Sequence, residues 1–477
     1  MFARWIALAG AGLAALAWQP HAHADESYTN GPSFVESYGY GGSFYPTYDY
    51  ARHETGRAAT LLYGRLVVAG DAYGTNGAES SDVILTRLGL DGRYDTSFDG
   101  NRGVVAVQPV PGAPVTVSDL VRLTGNRLLV AGYTSDPANT DALRLFVTRT
   151  QANGTLDTTF AGTGARSVAI GDSTGFNEPH IAVQPDGKIV IASTRAAPSG
   201  LGYCIIVMRW LADGADDPGF GRNGSVCITR NEVPYVAASG VALQADGRIV
   251  IGGLAFRTVT PQNADFAAVR LLANGDIDST FGTGGWTLVG FDLPGGTYDY
   301  ASAVKLDSTG RILLAGRAST STTTSPSQIA VARLAPNGLP DATFGTGGRA
   351  VVTSNSARSV DEYANDIAVL DDGSVLVAGR LQYPNGGSNI SVGGAVLLRD
   401  DGSRDPRFGV DGIYLPRPTN GTASPGSEFF RIVTAGNEFY LVGDGSGELQ
   451  ARAVVNHFAV TKLARSLFRG GFEVPAP

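Results

Sequence analysis

The 477-residue chain is predicted to be all-β: a seven-bladed β-propeller of four-stranded antiparallel blades whose ring is closed by an N-terminal strand. Three observations predict it. A phrase built on Asp-x-x-Phe returns six times, at spacings of 62, 60, 61, 63 and 64 residues. A short apolar segment ending in Gly or Ser recurs in step with it seven times, and each unit divides into four strand-length pieces separated by turn-formers. The 64 glycines are nearly twice the usual share, as many turns and short elements require.

The N-terminus is read as an export signal spanning residues 1–24. Arg4 precedes an apolar run from Trp5 to Trp18, then come Pro20 and the small-residue site Ala22-His23-Ala24 before Asp25. That run falls short of the roughly 20 residues a membrane-spanning helix needs, and no later segment qualifies. Residues 25–40 are a leader, 41–465 the propeller, and 466–477 (SLFRGGFEVPAP) a tail. The expected location is outside the cytoplasm: extracellular, periplasmic or on the cell surface. In an oxidising compartment the two cysteines, Cys204 and Cys227, are expected to pair across the hairpin of the third unit.

The fifth unit shows the pattern most plainly: DYASAVKL, RILLAGR, QIAVARL and GRAVVTS. Its second strand is apolar at consecutive positions, as in a sheet covered on both faces. A small sheet sandwiched between like neighbours is a propeller blade, an arrangement that leaves only short, protected edges. The seventh unit, ending near FAVTKLARS, lacks a fourth strand. GGSFYPTYD, residues 41–49, resembles the missing one and is expected to close the ring by pairing with it.

The repeated aromatics are Phe98, Phe160, Phe220, Phe281, Phe344 and Phe408, and the repeated carboxylates Asp95, Asp157, Asp217, Asp278, Asp341 and Asp405. Three residues before each Asp stands the Gly of an Asn-Gly or Asp-Gly pair, which favours a tight reversal. The Asp is expected to clasp backbone N–H groups, and the Phe to plug the space between blades. Five units place an Arg eight residues ahead of the Asp, at Arg87, Arg149, Arg209, Arg270 and Arg333, across a hairpin where it can reach the Asp or a carbonyl. The sixth has Leu397 there, and the seventh Lys462. Calcium is the competing use of such turns, although the dense Asp-x-Asp-x-Asp spacing and bidentate Glu of stronger calcium motifs are missing. No other cofactor is expected.

From apolar hairpin through xDGxxDxxFGxxG, the pattern resembles the delta-60 repeat family of bacterial β-propeller-like proteins over most of residues 50–465. The resemblance implies fold and export more than activity. The third unit departs from it with Ser193 in place of Gly, and the seventh lacks the Asp-x-x-Phe segment.

A net charge of −8 with no Lys/Arg run excludes an electrostatic footprint for nucleic acid. No HExxH or phosphate-binding loop is present, and no catalytic residue is assigned. Binding residues favour variable loops on a rigid scaffold, so the site is expected at the end carrying the long, unlike loops. Near the starts of the innermost strands there fall Glu178, His180, Tyr235, Asp299, Tyr300, Glu362, Tyr363, Glu428 and Phe429. This acidic, aromatic mouth suits a glycan, a peptide or another surface partner held by a monomeric binding module. The alternative is a polysaccharide-active hydrolase or lyase using mouth carboxylates.

Overall fold

The computed structural model describes residues 15–16 and 52–464, the latter with interruptions at 75–81, 89–94, 99–102, 138, 173–177, 201, 231–234, 259–262, 324–325, 355–360, 386–387, 416–427, 437 and 450–452. The expected leader, tail, residues 41–49 and Gly92 lie outside the described residues, as do most tips of the variable loops.

Six blades are each built from four consecutive antiparallel strands, paired in chain order. Blade 5 is Asp299–Leu306, Ile312–Ser319, Ser327–Leu334 and Arg349–Val352. In its second strand nearly every residue is buried, whereas burial along the first alternates. Blade 1 runs over residues 52–107, blade 2 over 115–172, blade 3 over 180–228, blade 4 over 236–289 and blade 6 over 363–414. First strands of neighbouring blades lie against one another around the axis, and so are the innermost.

The expectation of seven four-stranded blades closed by an N-terminal strand is corrected. Among the described residues, four-stranded blades number six. The last sheet consists of Glu428–Ala435, Glu438–Leu449 and Ala453–Ala464, and beside its outer strand runs only the two-residue stretch Ala15–Leu16, opposite Lys462 and Leu463. Two residues do not make the strand that was expected from 41–49. Apolar packing joins the ends instead: Val433, Tyr440, Val442 and Val460 of the last sheet share one core with Leu66, Val68, Ile84 and Val104 of blade 1. Both sheets present apolar faces, so burying them against each other joins first to last.

Every other junction has its own apolar cluster, and the repeated Phe belongs to it: Phe98, Phe160, Phe220, Phe281, Phe344 and Phe408 each lie between their own blade and the next. All six are fully enclosed. The turn Gly of the following blade makes room; a Cβ on Gly338, whose φ is +87°, would collide with the ring of Phe281.

The repeated Arg ties the same junction with polar bonds. Its Nε donates to the Asp, at 2.7 Å for Arg209–Asp217, 2.8 Å for Arg333–Asp341 and 2.9 Å for Arg270–Asp278, Arg87–Asp95 is likewise bonded, and Arg149 forms an ion pair with Asp157 at 2.7 Å. Its Nη1 donates to a carbonyl in the next blade's turn, as from Arg87 to Ala152 at 2.9 Å and from Arg270 to Pro336 at 2.6 Å. Its guanidinium stacks 4.7 to 5.0 Å from the repeated Phe. Burial alone would raise the carboxyl of Asp278, but bonds from Thr280 and the charge of Arg270 hold it below the usual range. In blade 6, where Leu397 replaces the Arg, Arg407 reaches back from within the motif to Asp405 at 2.6 Å.

Cys204 and Cys227 form a disulfide with Cα atoms 5.6 Å apart. Cys227 stands opposite Ile206, so the bridge runs diagonally between the third and fourth strands.

Candidate functional site

A repeated slip of register shapes the mouth. In blades 1, 2, 4, 5 and 6 and in the last sheet the innermost strand carries one extra residue against the second strand, at Arg57, Ser118, Ser239, Ser302, Asn365 and Phe430. Such bulges re-aim neighbouring side chains. They also explain the repeated Gly within the second strand: a Cβ on Gly316 or Gly379 would fall on the carbonyl oxygen of Tyr300 or Tyr363. Blade 3 has Ser193 at this point. Its innermost strand starts at His180, opposite Ala192, with no slip to accommodate.

Two residues before these bulges and directly after the Gly, paired residues face each other: Tyr300 with Arg317, Tyr363 with Arg380, Glu428 with Asp444, Thr55 with Asp71, Thr116 with Tyr133, and in blade 4 Ala237 with Leu254. The mouth is therefore electrically lopsided. Blades 5 and 6 bring aromatic rings and guanidinium groups, while the last sheet and blade 1 bring carboxylates.

On the cationic side Arg317 lies between two rings, 4.8 Å from Tyr300 and 4.1 Å from Tyr363, and Arg380 lies 5.9 Å from Tyr363. The hydroxyl of Tyr363 donates to Glu428 Oε2 at 2.6 Å. Burial, and then the charge of Glu428, push the Tyr363 phenol above its ordinary range. From Tyr300 a string of edge-on aromatic contacts continues through Tyr298, Phe256 and Tyr235 to Tyr203, with centroids 5.3 to 6.4 Å apart. On the acidic side Glu428 N donates to Asp444 Oδ1 at 3.0 Å. Burial and the nearby Glu428 push the Asp444 carboxyl up to about 7. Asp71 pairs with Arg57 at 3.0 Å.

One step beyond the bulges, polar groups of four blades and the last sheet meet. Arg431 Nη2 donates to the Ser118 carbonyl at 2.6 Å and lies 3.6 Å from Asp119; Asp366 pairs with Lys305 at 3.7 Å. Asp119 and Asp366 also accept the backbone N–H groups of Ile181 and Ile432 in the next sheet, bolting adjacent innermost strands together. His180 is half-buried here. Burial holds its imidazole below the ordinary value, against the pull of Asp119 and Glu178.

Of the residues expected at the mouth, Tyr300, Tyr363 and Glu428 come together, Tyr235 joins them through the aromatic string, and Glu178 is exposed at its edge. Asp299 and Glu362 serve differently. Both are enclosed, Asp299 accepting from Phe291 N at 2.7 Å and Ser319 N at 3.2 Å, Glu362 from Ser354 N and Gln382 N at 2.9 Å each. They anchor the entry to the innermost strand. Phe429 is buried in the core between blade 6 and the last sheet. Sequence reasoning missed Arg317, Arg380, Asp444, Asp119 and Arg431; the signal was the residue directly after the second-strand Gly, which reads Arg, Arg and Asp in the last three units. A separate groove of about 610 Å³ runs along the outer strand of blade 4, among Arg230, Arg257, Ile277, Trp286 and Leu339, remote from these pairs.

Among the described residues no three His, Cys, Asp or Glu side chains are grouped to hold a metal ion, and no helix is long and apolar enough to cross a membrane. At the repeated turns the Asp oxygens are taken by Arg and by the residue two positions on, as Asp341 is by Arg333 and Thr343. These turns are the candidate calcium sites, and their oxygens serve as polar clasps.

Five stretches, 64–98, 126–160, 184–220, 244–281 and 308–344, match a family described as a domain of unknown function (DUF5122) beta-propeller. It is a β-propeller repeat protein. Each match runs from the second-strand hairpin to the clasp Phe, so the family pattern is the junction just described. No curated protein matches the chain in sequence. Solved structures similar to this propeller include a protein of unknown function from Dyadobacter fermentans, 14% identical over 87% of this chain and 96% of that one, with a TM-score of 0.43. The β-propeller domain of the Trilobed protease from Pyrococcus furiosus is 9% identical over 86% and 94%, with a TM-score of 0.42. An α-L-arabinanase from Penicillium chrysogenum, complexed with arabinobiose, is 11% identical over 68% and 88%, with a TM-score of 0.42.

Proposed function

We propose that this propeller is an exported binding module that holds a glycan at the mouth formed by blades 5 and 6 and the last sheet, and that its repeats are of the delta-60 type. One observation carries the reading: Tyr300, Arg317, Tyr363 and Glu428 form a continuous row of rings and charges from three adjacent sheets. Half-buried tyrosines offer an apolar ring and a polar rim in one side chain, which is what a sugar presents in return. Export is supported by the N-terminal apolar run and by the disulfide.

The test is binding to a glycan array by the wild type and by the Tyr300→Ala, Tyr363→Ala double variant, with thermal unfolding as a check on folding. Saturable binding lost in a folded variant supports the module. Equal binding by both proteins refutes the placement of the site.

A second reading, a polysaccharide hydrolase or lyase, is favoured by Asp444 beside Glu428, since a carboxyl raised by burial and by its carboxylate neighbour suits a general-acid role. Product release from the best-bound glycan, abolished in Asp444→Asn, decides for the enzyme; binding without turnover decides for the module.

A further inference from the structure

Two arginines of the mouth are held chiefly by aromatic rings and hydroxyls rather than by carboxylates. Among the described residues, the Nε atoms of Arg317 and Arg380 are enclosed without a hydrogen-bond partner, as are those of Arg149, Arg195 and Arg431. Buried polar groups are usually satisfied, and each exception calls for an explanation. Arg317 and Arg380 occupy the same position on adjacent blades, each opposite the tyrosine of its own innermost strand.

What sets these two apart is their surroundings, which differ from those of a clasp arginine such as Arg333. A clasp such as Arg333 meets a carboxylate, a hydroxyl and a carbonyl within 3 Å. The nearest carboxylate to Arg317 is Asp361 at 4.0 Å, outside hydrogen-bond reach, and Arg380 donates to the Ser391 hydroxyl at 2.6 Å. Arg317 is nevertheless held in a fixed plane between Tyr300 and Tyr363. A pre-oriented guanidinium is suited to a carboxylate, whose two oxygens match its fork. On the far side of Tyr363, Glu428 and Asp444 disfavour a second anion close by.

We infer that the ligand is an acidic glycan, a chain containing uronic-acid residues, whose sugar ring lies against Tyr300 and Tyr363 while its carboxylate is received by Arg317 and Arg380. The inference rests on the glycan-binding reading above and adds the substrate class.

The test uses the full mature chain and three probes in titration calorimetry: an oligogalacturonate, the same oligomer as its methyl ester, and a neutral cello-oligosaccharide. The expected result is that the acid binds at least tenfold more tightly than the ester. Arg317→Gln and Arg380→Gln should each weaken acid binding by about 10- to 100-fold, the effect of losing one charged hydrogen bond, and ester binding by clearly less, so that the preference for the acid falls. Arg317→Lys, which keeps the charge without the fork, should retain part of the preference and guards against a variant that fails to fold. Equal binding of acid, ester and neutral oligomer overturns the inference and leaves the glycan module standing. An acid preference that survives in both Gln variants assigns the carboxylate elsewhere and equally overturns it. Binding of none of the three by folded wild type overturns both readings, as does binding confined to peptides with a free C-terminal carboxylate.

Discussion

Replacing Arg333 by Met tests whether the repeated arginine holds neighbouring blades together. Arg333 is 1% exposed. It donates to Asp341 at 2.8 Å, Thr343 at 2.9 Å, and both the carbonyl and a carboxylate oxygen of Asp400 in blade 6 at 2.6 and 2.7 Å, and it stacks 4.8 Å from Phe344. Methionine fills much of the same apolar volume, so the change removes polar bonds more than packing. Breaking a buried ion pair costs about 3–5 kcal/mol. Asp341 keeps its bond from Thr343, and the Asp400 side chain is 52% exposed and can rehydrate, which places the loss near the lower figure. The lost stack adds about 0.5 kcal/mol. Urea unfolding followed by tryptophan fluorescence should show the first transition destabilised by about 3 kcal/mol. Adding Asp341→Asn should restore at least about 1 kcal/mol, because the stranded charge is then gone. A loss below about 1 kcal/mol, or strictly additive variants, would refute the argument that this arginine is the inter-blade tie.

Four further expectations follow from particular contacts. Arg407→Ala should destabilise blade 6 by about 1 kcal/mol, since Arg407 is largely exposed, and a second change, Leu397→Arg, should restore the loss by recreating the clasp of the other blades; no rescue in urea unfolding sinks this account. Gly379→Ala should cost about 1–3 kcal/mol by forcing a Cβ onto the Tyr363 carbonyl, whereas Ser193→Gly should change the melting midpoint by less than about 1 kcal/mol equivalent; the reverse ranking contradicts the bulge explanation. Asp444 has a carboxyl raised by burial and by Glu428 to about 7, so the stability it contributes is complete below about pH 4 and is lost as pH rises through 7. Asp444→Asn should therefore gain on the wild type across that window, by at most about 1.4 kcal/mol per pH unit, and parallel pH–stability curves would exclude it. Reducing the Cys204–Cys227 bridge, or replacing both residues with Ala, should cost about 3 kcal/mol for a loop of this length, read as a drop in the urea midpoint; an unchanged midpoint shows that the closed loop adds nothing.

The sequence by itself determined the four-stranded blade as the repeating unit, but not that six rather than seven would be complete. Apolar segments at a period near 62 residues, with Gly-containing turns between them, leave few ways to bury both faces of each sheet other than stacking like upon like. The roles of Asp and Phe in ANGDIDSTFGTGG were also legible, because the motif places a backbone-binding carboxylate and a lone aromatic in one tight reversal. The disulfide was readable from the number and placement of its two cysteines.

What the tertiary structure decided lies between units, where no local pattern reaches. That each Arg ties its own Asp to the next blade's turn carbonyl depends on the rotation from blade to blade. Closure depended on it too: the ends meet through apolar faces that any two neighbouring blades share, so the similarity of residues 41–49 to a missing strand did not decide the matter. The mouth is the clearest case. Asp299, Glu362 and Glu428 look alike in sequence at the heads of innermost strands, yet two are buried as backbone anchors and the third accepts from a tyrosine of the adjacent blade. Desolvation and cross-blade distance separate them, and both quantities exist only once the sheets have been set around a common axis.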